Sequence, residues 1–370
     1  MRLILALCLV LPLAASAQAR AQNVILFLAD AAGIPTINAA SIHGHKAPRK
    51  LFVQRMPHIA LSETSTASEF VTDSAAGMTA IVTGARTHNG VIAQSDAAVR
   101  GKQDGVPLKT ILEYAEERGL ATGVISNDSI AGATPGALYA HVNNRDSYAE
   151  IFMQAFTPRF GDGVDVLIGS GRTDLMKRLD AAGKPLAALE RQHGRTVLSS
   201  LAEVDARASR AVVLLDDQTF DIGAATRLAI EMLSRNPNGY FLMVESDAHT
   251  DSIRRGLDRV VSFDRAIEDV AQRIGEDTLV LFTADHSFDF RVFAGRWGTP
   301  LLAGVPAEMG TGADAVALGS VRMNDDHTGE EVLVAAQGPG SERVRGYMAN
   351  TDLFQVMMSA FGWTTGPATR

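Results

Sequence analysis

The sequence predicts an α/β protein, a single doubly wound domain in which a central, mostly parallel sheet is flanked by helices. Two observations support this prediction. Short apolar runs typical of buried strands alternate along the chain with segments of helical character, and this alternation indicates parallel βαβ units. The chain has 370 residues, of which 46% are hydrophobic, so it is long enough to bury a large core and too hydrophobic to be disordered.

The predicted strands are short apolar runs, each followed by polar residues or glycine. They span residues 23–30, 121–127, 164–171, 211–217, 239–247, 277–286 and 330–338. Apolar periodicity and helix end signals predict helices at residues 74–84, 107–119 and 351–363. A polar helical stretch is expected to reach about residue 209, and loop or short irregular strands are expected over residues 295–319.

The charge balance narrows the classes of partner. The formal net charge is −8, from 34 Lys and Arg against 42 Asp and Glu. Nucleic-acid binding through a basic surface is therefore disfavoured, because such binding depends on contacts between cationic side chains and phosphates. No nucleic-acid partner is indicated.

The N-terminus resembles a secretory leader. Arg2 is followed by an apolar run and then by the small residues Ala15–Ala17, which predicts a signal peptide over residues 1–17. The apolar run is short for a membrane span, and no later segment suggests one, so the mature protein is expected in the periplasm or outside the cell. The single cysteine, Cys8, lies within the leader. Any metal site in the mature chain must therefore use oxygen and nitrogen ligands.

Several predicted strands end in an acidic residue. These residues are Asp30, Glu245 with Asp247, and Asp285, which is followed by His286. The carboxyl ends of parallel strands lie along one edge of a sheet, where ligands bind, so these side chains are expected to converge. Converging carboxylates are costly unless a cation lies among them, and imidazole neighbours favour a divalent metal. The alternative is that each acid only caps the helix after its strand.

Residues 70–80, with the sequence FVTDSAAGMTA, resemble the nucleophile motif of alkaline phosphatases. Further segments resemble the same family in the expected order, namely NVILFLADAAG, ATPGALYAHVNNR, GYFLMVE, LFTADHS, DDHTGEEVLVAAQGPGS and NTDLFQVM. The chain is therefore identified as a member of this family. An alkaline phosphatase-like catalytic domain is expected over residues 23–364, and it implies hydrolysis of phosphate monoesters.

The resemblance implies catalytic roles for two residues. Ser74 matches the serine that is transiently phosphorylated, and it opens a predicted helix, where free N–H groups and the helix dipole favour an anion. The alternative for Ser74 is a simple helix N-cap. Arg145 matches the arginine that holds two phosphate oxygens, as a planar guanidinium can. Without the family motif, Arg145 would be interpreted as a surface arginine.

The resemblance also implies two zinc ions and one magnesium ion. The zinc that activates the serine is expected to be bound by Asp30, Ser74, Asp285 and His286. The second zinc, which generates the hydroxide that cleaves the phosphoserine, is expected to be bound by Asp247, His249 and His327. The magnesium is expected to be bound by Asp30, Thr134 and Glu245, an oxygen-only set that suits a hard ion. Two zinc ions roughly 4 Å apart can stabilise both the entering and the leaving oxygen.

The segment after Glu245 departs from the family pattern. The family takes an aspartate and a histidine ligand of the second zinc from a longer loop here, whereas this chain has Glu-Ser-Asp-Ala-His over residues 245–249. Downstream of His249 the spacing agrees with the family. His249 is therefore predicted as a ligand and Asp247 as its carboxylate partner, with Asp251 as the competitor. Alternate residues of an extended chain share one side, so geometry does not choose between the two acids.

Two further positions differ from the family. Phe288 lies where many members have a histidine near the zinc, and Gly132 lies where the family usually has an aspartate or histidine beside the magnesium site. Residues around the ligands orient them and tune metal affinity. The sequence therefore leaves the identity and occupancy of the third metal open.

The predicted function is a phosphomonoesterase that acts on small phosphate monoesters and releases inorganic phosphate. A phosphodiesterase of the same superfamily is one alternative, and a non-catalytic periplasmic protein that binds metal or phosphate is another. A sulfatase is disfavoured, because its nucleophile usually lies in a different motif. The protein is expected to be a monomer or a homodimer.

Overall fold

The computed structural model describes residues 20–305 and 316–364. The predicted signal peptide, residues 1–17, lies outside these ranges. The strands in chain order are β1 (Asn23–Asp30), β2 (His58–Ser62), β3 (Ala121–Ser129), β4 (Val166–Ser170), β5 (Val197–Leu198), β6 (Ala211–Leu214), β7 (Tyr240–Asp247), β8 (Thr278–Thr283), β9 (Ser287–Val292), β10 (Val316–Leu318), β11 (Val321–Thr328), β12 (Val332–Gln337) and β13 (Gly346–Met348).

The helices connect these strands on both faces of the main sheet. In chain order they are α1 (Ile34–His45), α2 (Ser74–Thr83), α3 (Ile111–Glu117), α4 (Ala133–Tyr139), α5 (Tyr148–Gln154), α6 (Arg172–Ala181), α7 (Leu186–His193), α8 (Ile222–Leu233), α9 (Ile253–Arg273) and α10 (Asp352–Ala360). Within the two described ranges, no helix combines the length and the apolar character needed to cross a membrane.

The main sheet has the strand order β13-β2-β12-β8-β1-β7-β3-β4-β6-β5 in the described part of the chain. Strand β12 runs antiparallel to both of its neighbours, and the other pairs in this sheet are parallel. The predicted fold class, a mostly parallel sheet flanked by helices, is confirmed. Strand β1 lies near the centre of the sheet, between β8 and β7, where both of its faces are covered.

Alternate residues of β1 belong to two core layers on opposite faces of the sheet. One layer contains Val24, Leu26 and Leu28, and the other contains Ile25, Phe27 and Ala29. The first layer is completed by side chains from α2 to α7 and from α10, and the second by side chains from α1, α8 and α9. Because side chains alternate along a strand, an apolar strand can fill both layers at once.

A small antiparallel sheet extends from the carboxyl end of β8. Its strand order is β10-β11-β9 among the described residues, and β9 follows β8 after a short turn. Strand β11 pairs with β9 so that His327 lies opposite Phe288. Pairing in this small sheet therefore brings His327, which is distant in sequence, to the carboxyl edge of the main sheet.

The helix predicted at residues 107–119 is shorter than expected. It spans Ile111–Glu117 and begins after Thr110, whose side chain accepts a hydrogen bond from the Glu113 backbone, while the Glu113 carboxylate accepts one from the Thr110 backbone. This capping box satisfies two free N–H groups at the helix start. It therefore sets the start of the helix after Thr110.

The prediction that the polar stretch stays helical to about residue 209 is partly wrong. It forms α6 and α7, and the chain then enters β5 and a short 3₁₀ turn at Leu201–Glu203. Gly183 and Gly194 adopt positive φ angles of 68° and 64° at the ends of the two helices. Pro185, which lacks an N–H group, precedes α7. Glycine in the left-handed region and proline both end a helix.

Core packing against β1 generates a stability prediction. Phe27 is fully buried, and its ring contacts the edge of Phe263 on α9 with the centroids 5.7 Å apart. Phe27→Ala is expected to lower the free energy of unfolding by about 3–5 kcal/mol, because it removes apolar contacts and leaves a cavity. Urea denaturation measures the change. The control Val106→Ala, at a position that is 67% exposed, should stay within about 0.5 kcal/mol, and an equally small change for Phe27→Ala would contradict the described packing.

Candidate metal and phosphate site

The carboxyl ends of β1 and β7 bring acidic side chains together. The parallel register places Asp30 beside Asp247 and Leu28 beside Glu245, and Glu245 also lies beside Ser126 of β3. Asp30 is 8% exposed and Glu245 is 2% exposed. Strand pairing alone therefore holds these buried acids at one edge of the sheet.

The turn after β8 contributes an aspartate and a histidine to the same edge. Asp285 Oδ1 accepts a hydrogen bond from the Ala31 backbone at 3.3 Å, and His286 Nε2 lies 3.3 Å from Asp30 Oδ1. One potential ligand atom from each of Asp30, Asp285 and His286 lies within 4.8 Å of the others. We call these three buried residues the acidic group.

Three histidines from distant segments meet beside the acidic group. The rings of His286 and His327 stack with their centroids 4.0 Å apart, and the His249 ring lies 5.7 Å from that of His286. One ring nitrogen from each of the three lies within 4.8 Å of the others. We call them the histidine group. Phe288 packs edge-on against His249 with the ring centroids 5.1 Å apart, so it forms an apolar wall beside the histidine group.

Ser74 begins α2 and points its hydroxyl at the acidic group. Its Oγ donates to Asp30 Oδ2 at 3.4 Å and lies 3.3 Å from His286 Nε2. The N-cap of the helix is Asp73, whose side chain accepts from the Ala76 backbone. The alternative that Ser74 serves only as an N-cap is therefore wrong. Ser74 lies at the positive end of a ten-residue helix, which favours an anion.

Arg145 is held beside the start of α2. Its Nη1 donates to Asp73 Oδ2 at 2.9 Å, and its backbone N–H donates to the Gly90 carbonyl at 2.8 Å. Its side chain is 27% exposed. A guanidinium group has five N–H donors, so the bond to Asp73 leaves donors for an oxyanion.

Thr134 lies in the first turn of α4 and is 2% exposed. Helix α4 packs against α2 and β7, the elements that carry Ser74 and Glu245. The N-cap is Gly132, and a Cβ atom at that position would lie 2.8 Å from the Ser129 carbonyl oxygen. A side chain at position 132 would therefore require the Ser129 segment to shift.

The two candidates for the carboxylate ligand have different surroundings. Asp247 Oδ1 accepts hydrogen bonds from the backbone N–H and the Nδ1 of His249, at 3.1 and 2.9 Å, while its Oδ2 is paired with Arg259. Asp251 is paired with Arg255 on the first turn of α9, at 3.4 Å. Among the described residues, neither acid belongs to the acidic group or the histidine group. Asp247 is the one in contact with His249.

The pKa shifts show that this edge of the sheet attracts positive charge. Burial raises the pKa of Glu245 well above its ordinary value, and the charge of Asp30 adds to the effect. Burial and Asp30 also raise the pKa of Asp285 to about 6. Burial would lower the pKa of His249, but Asp30 and Asp247 together raise it to about 10.

Three buried carboxylate oxygens fit a bound cation. Within the described part of the chain, Asp30 Oδ1, Glu245 Oε2 and Asp285 Oδ2 have no hydrogen-bond donor. A buried carboxylate oxygen without a partner is costly, and a metal ion would satisfy it. Carboxylate oxygens together with imidazole nitrogens are typical zinc ligands. The residues present therefore fit the metals that the sequence predicts.

Helix capping does not account for the acids at the strand ends. Helix α1, which follows Asp30, has Gly33 as its N-cap, and α9, which follows Asp247, has Ser252. Asp285 is followed by β9 and not by a helix. The helix-cap alternative is therefore wrong for these residues.

Comparison with known proteins decides the family. A family model described as alkaline phosphatase matches residues 21–218 and 215–305, which together are more than half of the chain. The chain belongs to the alkaline phosphatase family. It is therefore a phosphoric monoester hydrolase of a metal-dependent family. The alternative of a non-catalytic binding protein is not retained.

The sequences of individual relatives match this chain over most of their length. The chain is 29% identical to streptomycin-6-phosphate phosphatase of Streptomyces griseus, over 94% of this chain and 92% of that protein. It is 28% identical to the alkaline phosphatase of Escherichia coli K12, over 92% and 86%. Among solved structures, a variant of the alkaline phosphatase from the Antarctic bacterium TAB5, with magnesium in its M3 site, matches with a TM-score of 0.75 and 27% identity, over 94% of this chain and all of that one.

Two residues that sequence analysis did not single out help to build the site. Asp73 caps α2 and binds Arg145, and Arg259 is paired with Asp247. An aspartate immediately before a helix is a recognisable N-cap signal, so Asp73 could have been found. Arg259 could not, because nothing in the sequence shows which face of α9 turns toward Asp247.

Close packing of α9 against the His249 segment generates a second prediction. A Cβ atom on Gly256 would lie 2.4 Å from the His249 carbonyl oxygen. Gly256→Ala is therefore expected to displace His249 and to lower metal affinity by about tenfold or more, measured by chelator competition with Zn²⁺ as the probe. Ser262→Ala, at an exposed position on the same helix, is the control. Wild-type affinity in the Gly256 variant would contradict the close contact.

Proposed function

We propose that this protein is a periplasmic or secreted phosphatase that hydrolyses small phosphate monoesters through a phosphoserine at Ser74, with two zinc ions and one magnesium ion. The observation that carries the proposal is the position of the Ser74 hydroxyl, which lies against the acidic group at the N-terminus of α2. Residues 23–364 form the catalytic domain in this proposal.

The proposed ligands are the sets that the family resemblance implies. Asp30, Asp285 and His286 hold one zinc near Ser74, and their clustering supports this assignment. His249 and His327 hold the second zinc, with Asp247 as their carboxylate partner. Asp30, Thr134 and Glu245 hold the magnesium. The orphaned Glu245 Oε2 and the magnesium in the M3 site of the TAB5 variant support the third site.

In the first half of the reaction, Ser74 is the nucleophile. Its Oγ forms a bond to phosphorus, and the bond from phosphorus to the leaving-group oxygen breaks, with the electron pair departing on that oxygen. The hydroxyl proton of Ser74 is directed at Asp30 Oδ2. Backbone N–H groups at the start of α2 and the Arg145 guanidinium hold the nonbridging oxygens, which carry most of the charge in the transition state.

In the second half, a water oxygen forms a bond to phosphorus, the bond from phosphorus to Ser74 Oγ breaks with its electron pair on Oγ, and a proton from the water restores the hydroxyl as inorganic phosphate is released. When bound, the metal ions lower the pKa of the serine hydroxyl and of the attacking water and neutralise charge on the phosphoryl group. His286 belongs to both the acidic group and the histidine group. It would therefore lie between the residues proposed to hold the two zinc ions.

Arg145 favours monoesters over diesters. A monoester has one more nonbridging oxygen than a diester, and a guanidinium fork held at the start of α2 can bind two such oxygens. The bond from Asp73 fixes the orientation of this fork. The phosphodiesterase alternative requires a second ester group where Arg145 places its donors.

Metal removal tests the reaction class and the metals together. Protein stripped by a chelator is expected to lose hydrolysis of p-nitrophenyl phosphate at alkaline pH, and Zn²⁺ is expected to restore it, because the ligand set combines imidazole and carboxylate. Refilling with and without Mg²⁺ shows whether the third site contributes. Bis-p-nitrophenyl phosphate is the matched diester. Higher activity on the diester would favour the phosphodiesterase alternative, and full activity in the stripped protein would contradict the metal assignment.

Removal of the nucleophile tests the covalent intermediate. Ser74→Ala is expected to abolish the phosphoenzyme that wild-type protein forms when it is quenched in acid with radiolabelled phosphate, and to lower kcat by at least about a thousandfold, as expected for loss of a covalent catalyst. Zinc content should be retained, because the imidazole and carboxylate ligands remain. Ser262→Ala is the control for an exposed serine. Turnover near the wild-type rate in Ser74→Ala would exclude the phosphoserine route.

A further inference from the structure

Asp247 is held from two sides, and both of its oxygens are engaged. Oδ1 accepts from His249 Nδ1 at 2.9 Å and from the His249 backbone at 3.1 Å. Oδ2 is paired with the Arg259 guanidinium from α9. The side chains of Asp247 and Arg259 are only 20% and 12% exposed, so solvent screens this pair less than a surface pair.

The bond from Asp247 selects the nitrogen that His249 presents to the site. A carboxylate only accepts hydrogen bonds, so Nδ1 carries a proton and Nε2 is the nitrogen left to bind a metal ion. His249 Nε2 lies 3.9 Å from Asp30 Oδ1, on the side of the acidic group. Histidines that bind metals commonly donate their second N–H group to a carboxylate, which fixes the tautomer and the ring orientation.

Arg259 itself is held by a further contact. Its Nη2 donates to Gln218 Oε1 at 3.4 Å, and Gln218 Nε2 donates to Asp128 Oδ1 at 3.0 Å. A continuous series of contacts therefore runs from the end of β3 through Arg259 to Asp247 and the ring of His249.

We propose that Asp247 and Arg259 are positioning residues, in which the Arg259-held carboxylate orients the His249 ring toward the metal while Asp247 itself does not ligate. This inference rests on the proposed metal-dependent function and revises one part of it, the role of Asp247. In this arrangement the second metal takes its nitrogen ligands from the histidine group. Arg259 has a defined function as well, because it anchors the oxygen that does not contact His249.

Paired substitutions separate positioning from ligation without changing the net charge. Asp247→Asn with Arg259→Met removes one negative and one positive charge, but the amide oxygen can still accept from His249 Nδ1. Asp247→Ala with Arg259→Met removes the same charges and also the acceptor. Asp269→Asn with Arg273→Met is the control, because these residues form an ion pair on the same helix in which the Arg273 side chain is 69% exposed.

Zinc affinity by chelator competition and the visible spectrum of the Co²⁺-substituted protein are the readouts. Under the proposal, the Asn/Met protein keeps zinc affinity within about tenfold of wild type with an unchanged cobalt spectrum, and the Ala/Met protein binds about 10–100-fold more weakly than Asn/Met. Equal losses in both proteins, or an altered cobalt spectrum in Asn/Met, would overturn the proposal. If Ala/Met does not fold, the affinity and spectrum of the isosteric Asn/Met protein decide alone.

The same measurements distinguish failure of this inference from failure of the proposed function. Wild-type protein that neither binds Zn²⁺ nor hydrolyses p-nitrophenyl phosphate would refute the metal-dependent function itself, and the positioning proposal with it. Wild-type protein that does both, together with equal losses in the two paired variants, would refute only the positioning role of Asp247 and Arg259.

Discussion

Repulsion among buried carboxylates at the carboxyl edge of β8, β1 and β7 is the constraint on which the site depends. Asp30, Glu245 and Asp285 are each at least nine-tenths buried, and each has an oxygen without a donor among the described residues. Such a cluster is costly in its ionised form unless a cation lies inside it. The same charge that satisfies the acids also attracts a phosphate ester, so the requirement for stability and the requirement for catalysis coincide.

The main sheet and helix α9 position different parts of the site. Strand register places Asp30, Glu245 and Asp247, and backbone pairing of this kind leaves little freedom in the position of the side chains. Helix α9 packs so closely on the His249 segment that only glycine fits at position 256, and it carries Arg259 to Asp247. The shortened loop between Glu245 and His249 is thus supported by the helix that follows it.

Prediction from the sequence succeeded where the signal was local and failed where pairing depends on distant residues. The bounds of β1 match the apolar run at residues 23–30, because a strand buried on both faces is apolar throughout and its ends are therefore easy to recognise. The helix at residues 107–119 began later than expected, because the Thr110 capping box outweighed the proline signal at position 107. Strands β9 and β11 were not predicted, since they mix polar and apolar residues and gain their pairing from tertiary contact. Strand β10 (Val316–Leu318) lies within residues 295–319, where loop or short irregular strands were expected.

The sequence by itself determined the alternation of strands and helices, the acids at the strand ends and the serine at the start of α2, because these depend on residue type and on spacing within short segments. Only the tertiary structure decided which side chains face one another. The small sheet stacks His327 on His286. Tertiary packing also distinguishes the two candidate carboxylates, because it pairs Asp247 with Arg259 and Asp251 with Arg255. These contacts join residues from separate segments, and their geometry follows from packing that no local pattern encodes.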